Sequence, residues 1–140
     1  MDILLVQVLR IWLTASASQA GRASWLSALT DPVAGPALAT LHTQPGRSWT
    51  VGSLASSTGV SSATLARRFN AKVGQTPAAY LTRWRMDLAA QRLRDTEDTV
   101  GAIARSLGYT SEYAFNRAFT RHRHTPPGRY RTQARPAQAP

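Results

Sequence analysis

The 140-residue chain contains no cysteine, which excludes disulfides, thiolate metal ligands and a cysteine nucleophile. That composition is compatible with a reducing compartment, and a cytoplasmic location is the expectation. Lysine is almost absent. Lys72 is the only one, so arginine carries nearly all of a net charge of +10. Arginine's planar fork suits bidentate contact with phosphate or guanine better than an ammonium does. Charge alone would also fit RNA, an anionic membrane surface or an acidic protein. No apolar run is long enough to cross a bilayer: residues 2–13 make about 12, where roughly 20 are needed. No membrane partner is expected.

Groups that carry catalysis are also sparse. His42, His122 and His124 are the only histidines. Zinc wants four ligands, so His122-x-His124 without cysteine is not a metal site; a solvated or phosphate-contacting role suits it better. Asp95, Glu97 and Asp98 cluster on a turn with no histidine or glycine-rich loop nearby, where they favour the start of the following helix. Neither a phosphate-binding loop nor a dinucleotide fingerprint occurs. No catalytic residue, cofactor or metal is expected, and the chain does not read as an enzyme.

What is present is a repeat covering residues 50–131. Thr50-Val51 aligns with Thr99-Val100, Ala55 with Ala104 and Gly59 with Gly108 at one constant offset. After one added residue in the second copy, Ser61 aligns with Ser111, Arg67 with Arg117, Phe69 with Phe119, Pro77 with Pro127 and Tyr80 with Tyr130. Such a repeat indicates one supersecondary unit built twice. In each copy Thr50 or Thr99 can cap a short helix, and Gly59 or Gly108 turns the chain. Val60 or Tyr109 plugs the corner. Ser61 caps a second helix with Leu65 and Phe69 inward; Ser111 or Thr110 caps its counterpart with Ala114, Phe115 and Phe119 inward. Two helices joined by a short glycine turn form a helix-turn-helix.

The outer faces of the second helices set the chemistry. The first offers Ser62, Ala63, Thr64, Ala66, Arg67 and Arg68; the second offers Glu112, Tyr113, Asn116, Arg117 and Arg121. Arginine can bond guanine O6 and N7 with two donors, and asparagine can do the same with adenine N6 and N7. Small residues at 62, 63 and 66 would let a helix approach a groove floor.

Between the motifs, Thr76-Pro77 is a cap followed by proline at the first helical position. No glycine or further proline occurs up to Arg94. Tyr80, Leu81, Trp84 and Leu88 form one apolar stripe and Met86, Ala89, Ala90 and Leu93 a second, so both sides of this helix should be buried. Its length, roughly 27 Å at about 1.5 Å per residue, is comparable with one duplex turn of about 34 Å.

These residues resemble the DNA-binding domain of the AraC/XylS family of bacterial transcription regulators. The resemblance spans Pro32 to Arg131 and is most specific at Ile103-Ala104, Gly108-Tyr109, Phe115, Arg117-Ala118-Phe119 and Pro127-Gly128-Arg129-Tyr130-Arg131. It implies an all-α fold of two helix-turn-helix subdomains joined by a long connecting helix. It also implies sequence-specific binding of double-stranded DNA by two recognition helices in adjacent major-groove segments, with activation or repression of a promoter. Carried over, base contacts fall on Ser62, Ala63, Ala66 and Arg67, then on Glu112, Tyr113, Asn116 and Arg117; Thr64 is added from the outer-face reading. Phosphate contacts are expected from Ser61, Arg68, Ser111, Arg121, Arg129 and Arg131. RNA polymerase is a candidate partner, as is an effector domain meeting the N-terminal helix. Gly101 inside a helix, and Arg123-His124 in place of an aromatic-glycine pair, depart from the pattern.

The expected boundaries are an apolar helix at 1–14, a linker at 15–30 and the DNA-binding domain at 31–131. That domain divides into 31–76, the connecting helix 77–94 and 95–131, with a flexible tail at 132–140. The segment 1–14 is too apolar to stand alone; Asp2 before it argues against a secretory signal. In family members such a helix follows an effector domain, so a fragment of a longer regulator is one reading. Trp25, Leu26 and Leu29 should dock on a core. Asp31-Pro32 should start a helix through His42 with Val33, Leu38 and Leu41 inward, and Trp49 should plug the core. Two other readings stay open: a non-specific basic nucleic-acid-binding protein, and an interaction module working through the N-terminal helix.

Overall fold

The computed structural model describes residues 26–135. The apolar segment 1–14, most of the linker, including the Trp25 expected to dock, and residues 136–140 lie outside them. Among the described residues all regular structure is helical: α1 (Ala34–Thr43), α2 (Val51–Thr58), α3 (Ser62–Val73), α4 (Pro77–Asp95), α5 (Val100–Ser106), α6 (Glu112–Arg123) and α7 (Pro127–Ala134). No helix among them is long and apolar enough to cross a membrane. The chain forms two compact units. Among the described residues the first holds 26–44 and 49–81; the second holds 45–48 and 82–135. The connecting helix α4 starts in the first and continues in the second.

The local signals act where expected. Thr50 Oγ1 accepts from Ser53 N at 3.0 Å while Ser53 Oγ accepts from Thr50 N at 2.9 Å, a reciprocal capping box. Thr99 caps α5 through Ala102 N, and Thr76 caps α4 through Ala79 N, each at 3.1 Å. Ser61 and Ser111 cap α3 and α6 through Thr64 N and Ala114 N. The choice between Ser111 and Thr110 thus falls to Ser111. Both glycine turns close alike: Val60 N donates to Ala55 O at 3.1 Å and Tyr109 N to Ala104 O at 3.0 Å. Gly59 and Gly108 hold φ of 76° and 89°, which a side chain would resist.

In the first unit Leu38, Leu41, Leu54, Leu65, Phe69, Tyr80 and Leu81 are buried. In the second the buried set includes Trp84, Met86, Leu93, Ile103, Leu107, Phe115 and Phe119. All eight apolar positions expected on the two stripes of α4 are buried. The repeat extends to ring geometry. Phe69 meets Tyr80 edge-on at 5.8 Å and 73°, and Phe119 meets Tyr130 at 5.3 Å and 74°.

Several expectations need correction. Residues 26–30 are helical rather than linker. Leu26 and Leu29 do not dock; they are 63% and 44% exposed, and Ala28 is the buried residue of this stretch. The backbone itself makes the contact: the Leu29 carbonyl lies 2.3 Å from where a Cβ on Gly35 would stand. Helix α1 begins at Ala34, because Asp31 Oδ2 first closes a turn by accepting from Val33 N at 3.0 Å and Ala34 N at 2.8 Å. Val33 and Trp49 are only half-buried; the Trp49 indole N–H donates to Gln44 O at 2.9 Å.

In the second unit, residues 45–48 are pinned by Arg85, which donates to Pro45 O at 2.7 Å and Arg47 O at 3.0 Å. Gly46 lies so close to the second glycine turn that a Cβ on it would sit 2.3 Å from Ser106 O. Arg123 pairs with Asp87 on α4 at 2.6 Å. Burial raises the Asp87 carboxyl, opposed by Arg123, Arg83 and His122. The acidic turn is also paired: Asp98 with Arg92 at 2.7 Å and Glu97 with Arg135.

His124 is the C-cap of α6 at φ 61°, where the first copy has Gly74 at φ 87°. A residue with a Cβ is strained there. Replacing His124 by glycine is expected to stabilise the second unit by about 1 kcal/mol, read from the denaturant midpoint. An unchanged or lowered midpoint would show that the imidazole makes compensating contacts.

Candidate nucleic-acid interface

Helices α3 and α6 bury the same positions and present the same ones. Leu65 and Phe69, like Phe115 and Phe119, are fully inside. Ser62, Ala63, Ala66 and Arg67 are exposed on α3, as are Glu112, Tyr113, Asn116 and Arg117 on α6. The spacing that sends every third or fourth residue inward leaves these on the outer surface.

The two surfaces differ in chemistry. On α3 only Arg67 carries a long polar side chain among those four positions. On α6, Tyr113 is 71% exposed and the Arg117 guanidinium carbon lies 5.8 Å from its ring centroid. This four-residue spacing on a helix, together with attraction between cation and ring face, restrains the guanidinium before any partner arrives. Thr120 Oγ1 donates to Asn116 Oδ1 at 3.3 Å, which restrains the amide similarly. Glu112 is the sole carboxylate on the outer surface of α6 and has no ion pair among the described residues. Its Oε2 stands beside Gly101.

Three sequence-derived site residues have other employment. Thr64 is half-buried and its hydroxyl accepts from Ser61 Oγ at 2.9 Å, so it belongs to the cap of α3 and not to its outer face. Arg68 is turned back onto Asp31, at 2.6 Å. Arg131 donates from Nε to Leu93 O at 2.9 Å and from Nη2 to Thr96 O at 3.1 Å, tying α7 to the end of α4. Ser61 and Ser111 are exposed, with their oxygens engaged as caps. Arg121 and Arg129 are exposed without an ion pair among the described residues. The Tyr113–Arg117 contact was missed, although its spacing alone suggested it.

Asp31 is what holds one end of the Arg68 guanidinium. It is 6% exposed. Burial pushes its carboxyl up, but the Ala34 N–H, the Arg68 guanidinium and the Val33 N–H together outweigh that and hold it at about 2.

A helix-turn-helix domain family matches residues 54–133. A protein of Streptomyces lividans named as an AraC-like transcription regulator is 50% identical over 129 residues, covering 92% of this chain and 42% of that protein. The regulator AlkR of Acinetobacter baylyi is 41% identical over 111 residues, covering 79% of this chain and 36% of its own length. The chain therefore spans about two fifths of the curated relatives it matches. Among solved structures, the DNA-binding domain of AdpA in complex with a target DNA aligns at TM-score 0.69 and 27% identity, over 74% of this chain and 93% of that one. The C-terminal domain of AraT, a response regulator from Geobacillus stearothermophilus, aligns at TM-score 0.71 and 26% identity, over 80% and 93%. With two capped helix-turn-helix motifs in place and that family matched over more than half of its residues, the chain belongs to the AraC-type helix-turn-helix transcription regulators.

Proposed function

We propose that this chain binds double-stranded DNA sequence-specifically, with α3 and α6 as recognition helices in adjacent major-groove segments, and so regulates transcription. The observation that carries this reading is the repeat of caps, turns, buried rings and outer positions in two motifs of a chain with net charge +10. The solved AdpA relative, crystallised with a target DNA, supports it. Arg67, Glu112, Tyr113, Asn116 and Arg117 would discriminate bases, while Ser62, Ala63 and Ala66 allow close approach. Arg121 and Arg129 would meet phosphates. RNA polymerase, an effector domain and a cytoplasmic location belong to the same reading.

Selection of bound sites from a random duplex library tests it. Two short blocks about one helical turn apart are expected. Equal retention of selected duplex, random duplex and RNA at two salt concentrations would instead favour a non-specific basic binder. Within the selected site, Arg117→Ala is expected to relax discrimination at one base pair by about 1–3 kcal/mol. Equal weakening on selected and random duplex would remove Arg117 from base readout.

A further inference from the structure

The two motifs share one geometry and differ, at one spot, in charge. Gly52 and Gly101 are the second residues of α2 and α5. Each lies beside the first residue of the helix that follows: a Cβ at Gly52 would stand 3.9 Å from Ser62 Oγ, and one at Gly101 3.4 Å from Glu112 Oε2. In the second motif another side chain reaches the same point, Arg105 Nη1 at 3.3 Å. The repeat places Ser56 where α5 has Arg105, and Ser62 where α6 has Glu112. Two exposed serines of the first copy are thus an exposed arginine and glutamate in the second, brought together over a bare glycine. Neither charge has a direct ion pair among the described residues. At physiological salt, screening acts over about 8 Å, so charges this close still attract.

A carboxylate on a surface that meets a duplex is repelled by the phosphates, and Glu112 is the sole one on the outer surface of α6. The positive end of α6 eases that repulsion, and Arg105 adds a full positive charge from the neighbouring helix. An ionised carboxylate can only accept, and the base-edge donor it suits is the N4 amino group of cytosine. We propose that Arg105 orients the Glu112 carboxylate and offsets its charge, so that it accepts from cytosine N4 in the major groove. Arg105 is then a positioning residue for base readout by the second motif; the first motif, with serines at both places, has no counterpart. This rests on the DNA-binding reading above and adds to it one residue outside the recognition helices, together with the base it serves.

A double-mutant cycle on the full chain tests the coupling. Glu112→Ala, Arg105→Gln, Arg105→Lys and the combination of the first two are melted. Each is then titrated with selected duplex, random duplex and selected duplex carrying single base-pair changes, at two salt concentrations. Glu112→Ala is expected to lose about tenfold preference at one C·G pair. Arg105→Gln should lose preference at that same pair, and the combination should lose no more than Glu112→Ala alone. Arg105→Lys keeps the charge and should retain most of the preference. Equal weakening by Arg105→Gln on selected and random duplex, with a shallower salt dependence, would make Arg105 a phosphate contact and overturn the proposal. Additive losses in the combination would overturn it as well, and so would lower melting with uniformly weaker binding, which would make the contact structural. Unchanged preference at every base pair in Glu112→Ala would overturn it while leaving the selected site, and the DNA-binding reading, intact. A wild type that selects no site would remove that reading and this proposal together.

Discussion

Asp31→Ala is expected to destabilise the first unit by about 3 kcal/mol. The carboxylate is buried and serves three donors: the Val33 and Ala34 N–H groups and the Arg68 guanidinium. Removing it leaves the Ala34 N–H, at the buried start of α1, without its acceptor. Breaking a buried ion pair costs about 3–5 kcal/mol when the remaining charge is stranded. Here the remaining partner is the Arg68 side chain, which is 42% exposed and stays hydrated, so the lower end applies. Asp31→Asn keeps an acceptor for the turn and should lose less. Chemical denaturation of the three proteins at neutral pH checks the order; equal stability of Asp31→Ala and wild type would show that the pair is dispensable. The same carboxyl gives an acid signature. Its folded value of about 2 lies below the ordinary 3.8, so its stabilisation is complete above about pH 4 and disappears as pH falls toward 2.

A second large effect arises at higher pH. His42 is buried at 6% exposure, and burial lowers its imidazole from 6.5 to about 4. It shares a hydrogen bond with the Tyr80 hydroxyl. The unfolded chain takes up a proton near pH 6.5, while the folded one resists until about 4. The unfolded state therefore binds more protons across this window, and stability must fall as the pH is lowered through it. The expected loss is roughly 3 kcal/mol between pH 6.5 and 4, a range in which Asp31 contributes slope only at the acid end. Denaturant midpoints across pH 4–7.5 should show it, and His42→Gln should flatten the profile. A wild-type profile without slope over this range would mean that the imidazole is hydrated in the folded protein.

These two residues mark where sequence reasoning stopped. The caps, glycine turns and inner positions were legible because each depends on neighbours within a few residues, and the repeat states each twice. The stripes of α4 were legible for the same reason. By contrast, Arg68 and its acceptor are 37 residues apart, Arg131 and the Leu93 carbonyl 38, and His42 and Tyr80 also 38. Nothing local distinguishes an arginine that will tie two helices together from one that will meet a phosphate. Thr64 differs: its spacing fits the outer face, yet its hydroxyl accepts from Ser61 Oγ and joins the cap. Leu26 and Leu29 were assigned inward by residue type, where close backbone packing at Gly35 decided the orientation.

On the proposed DNA-binding reading, the doubled scaffold makes recognition portable. Since Ser61 and Ser111 cap alike, and Leu65 with Phe69 fills the place that Phe115 and Phe119 fill, the solvent-side letters of one helix can be rewritten with those of the other without touching either core. On the proposed DNA-binding reading, a chain carrying S62E, A63Y and A66N, with Arg67 already matching Arg117, would display the same outer residues on both helices, and duplex selection on it should return two alike blocks in place of two unlike ones.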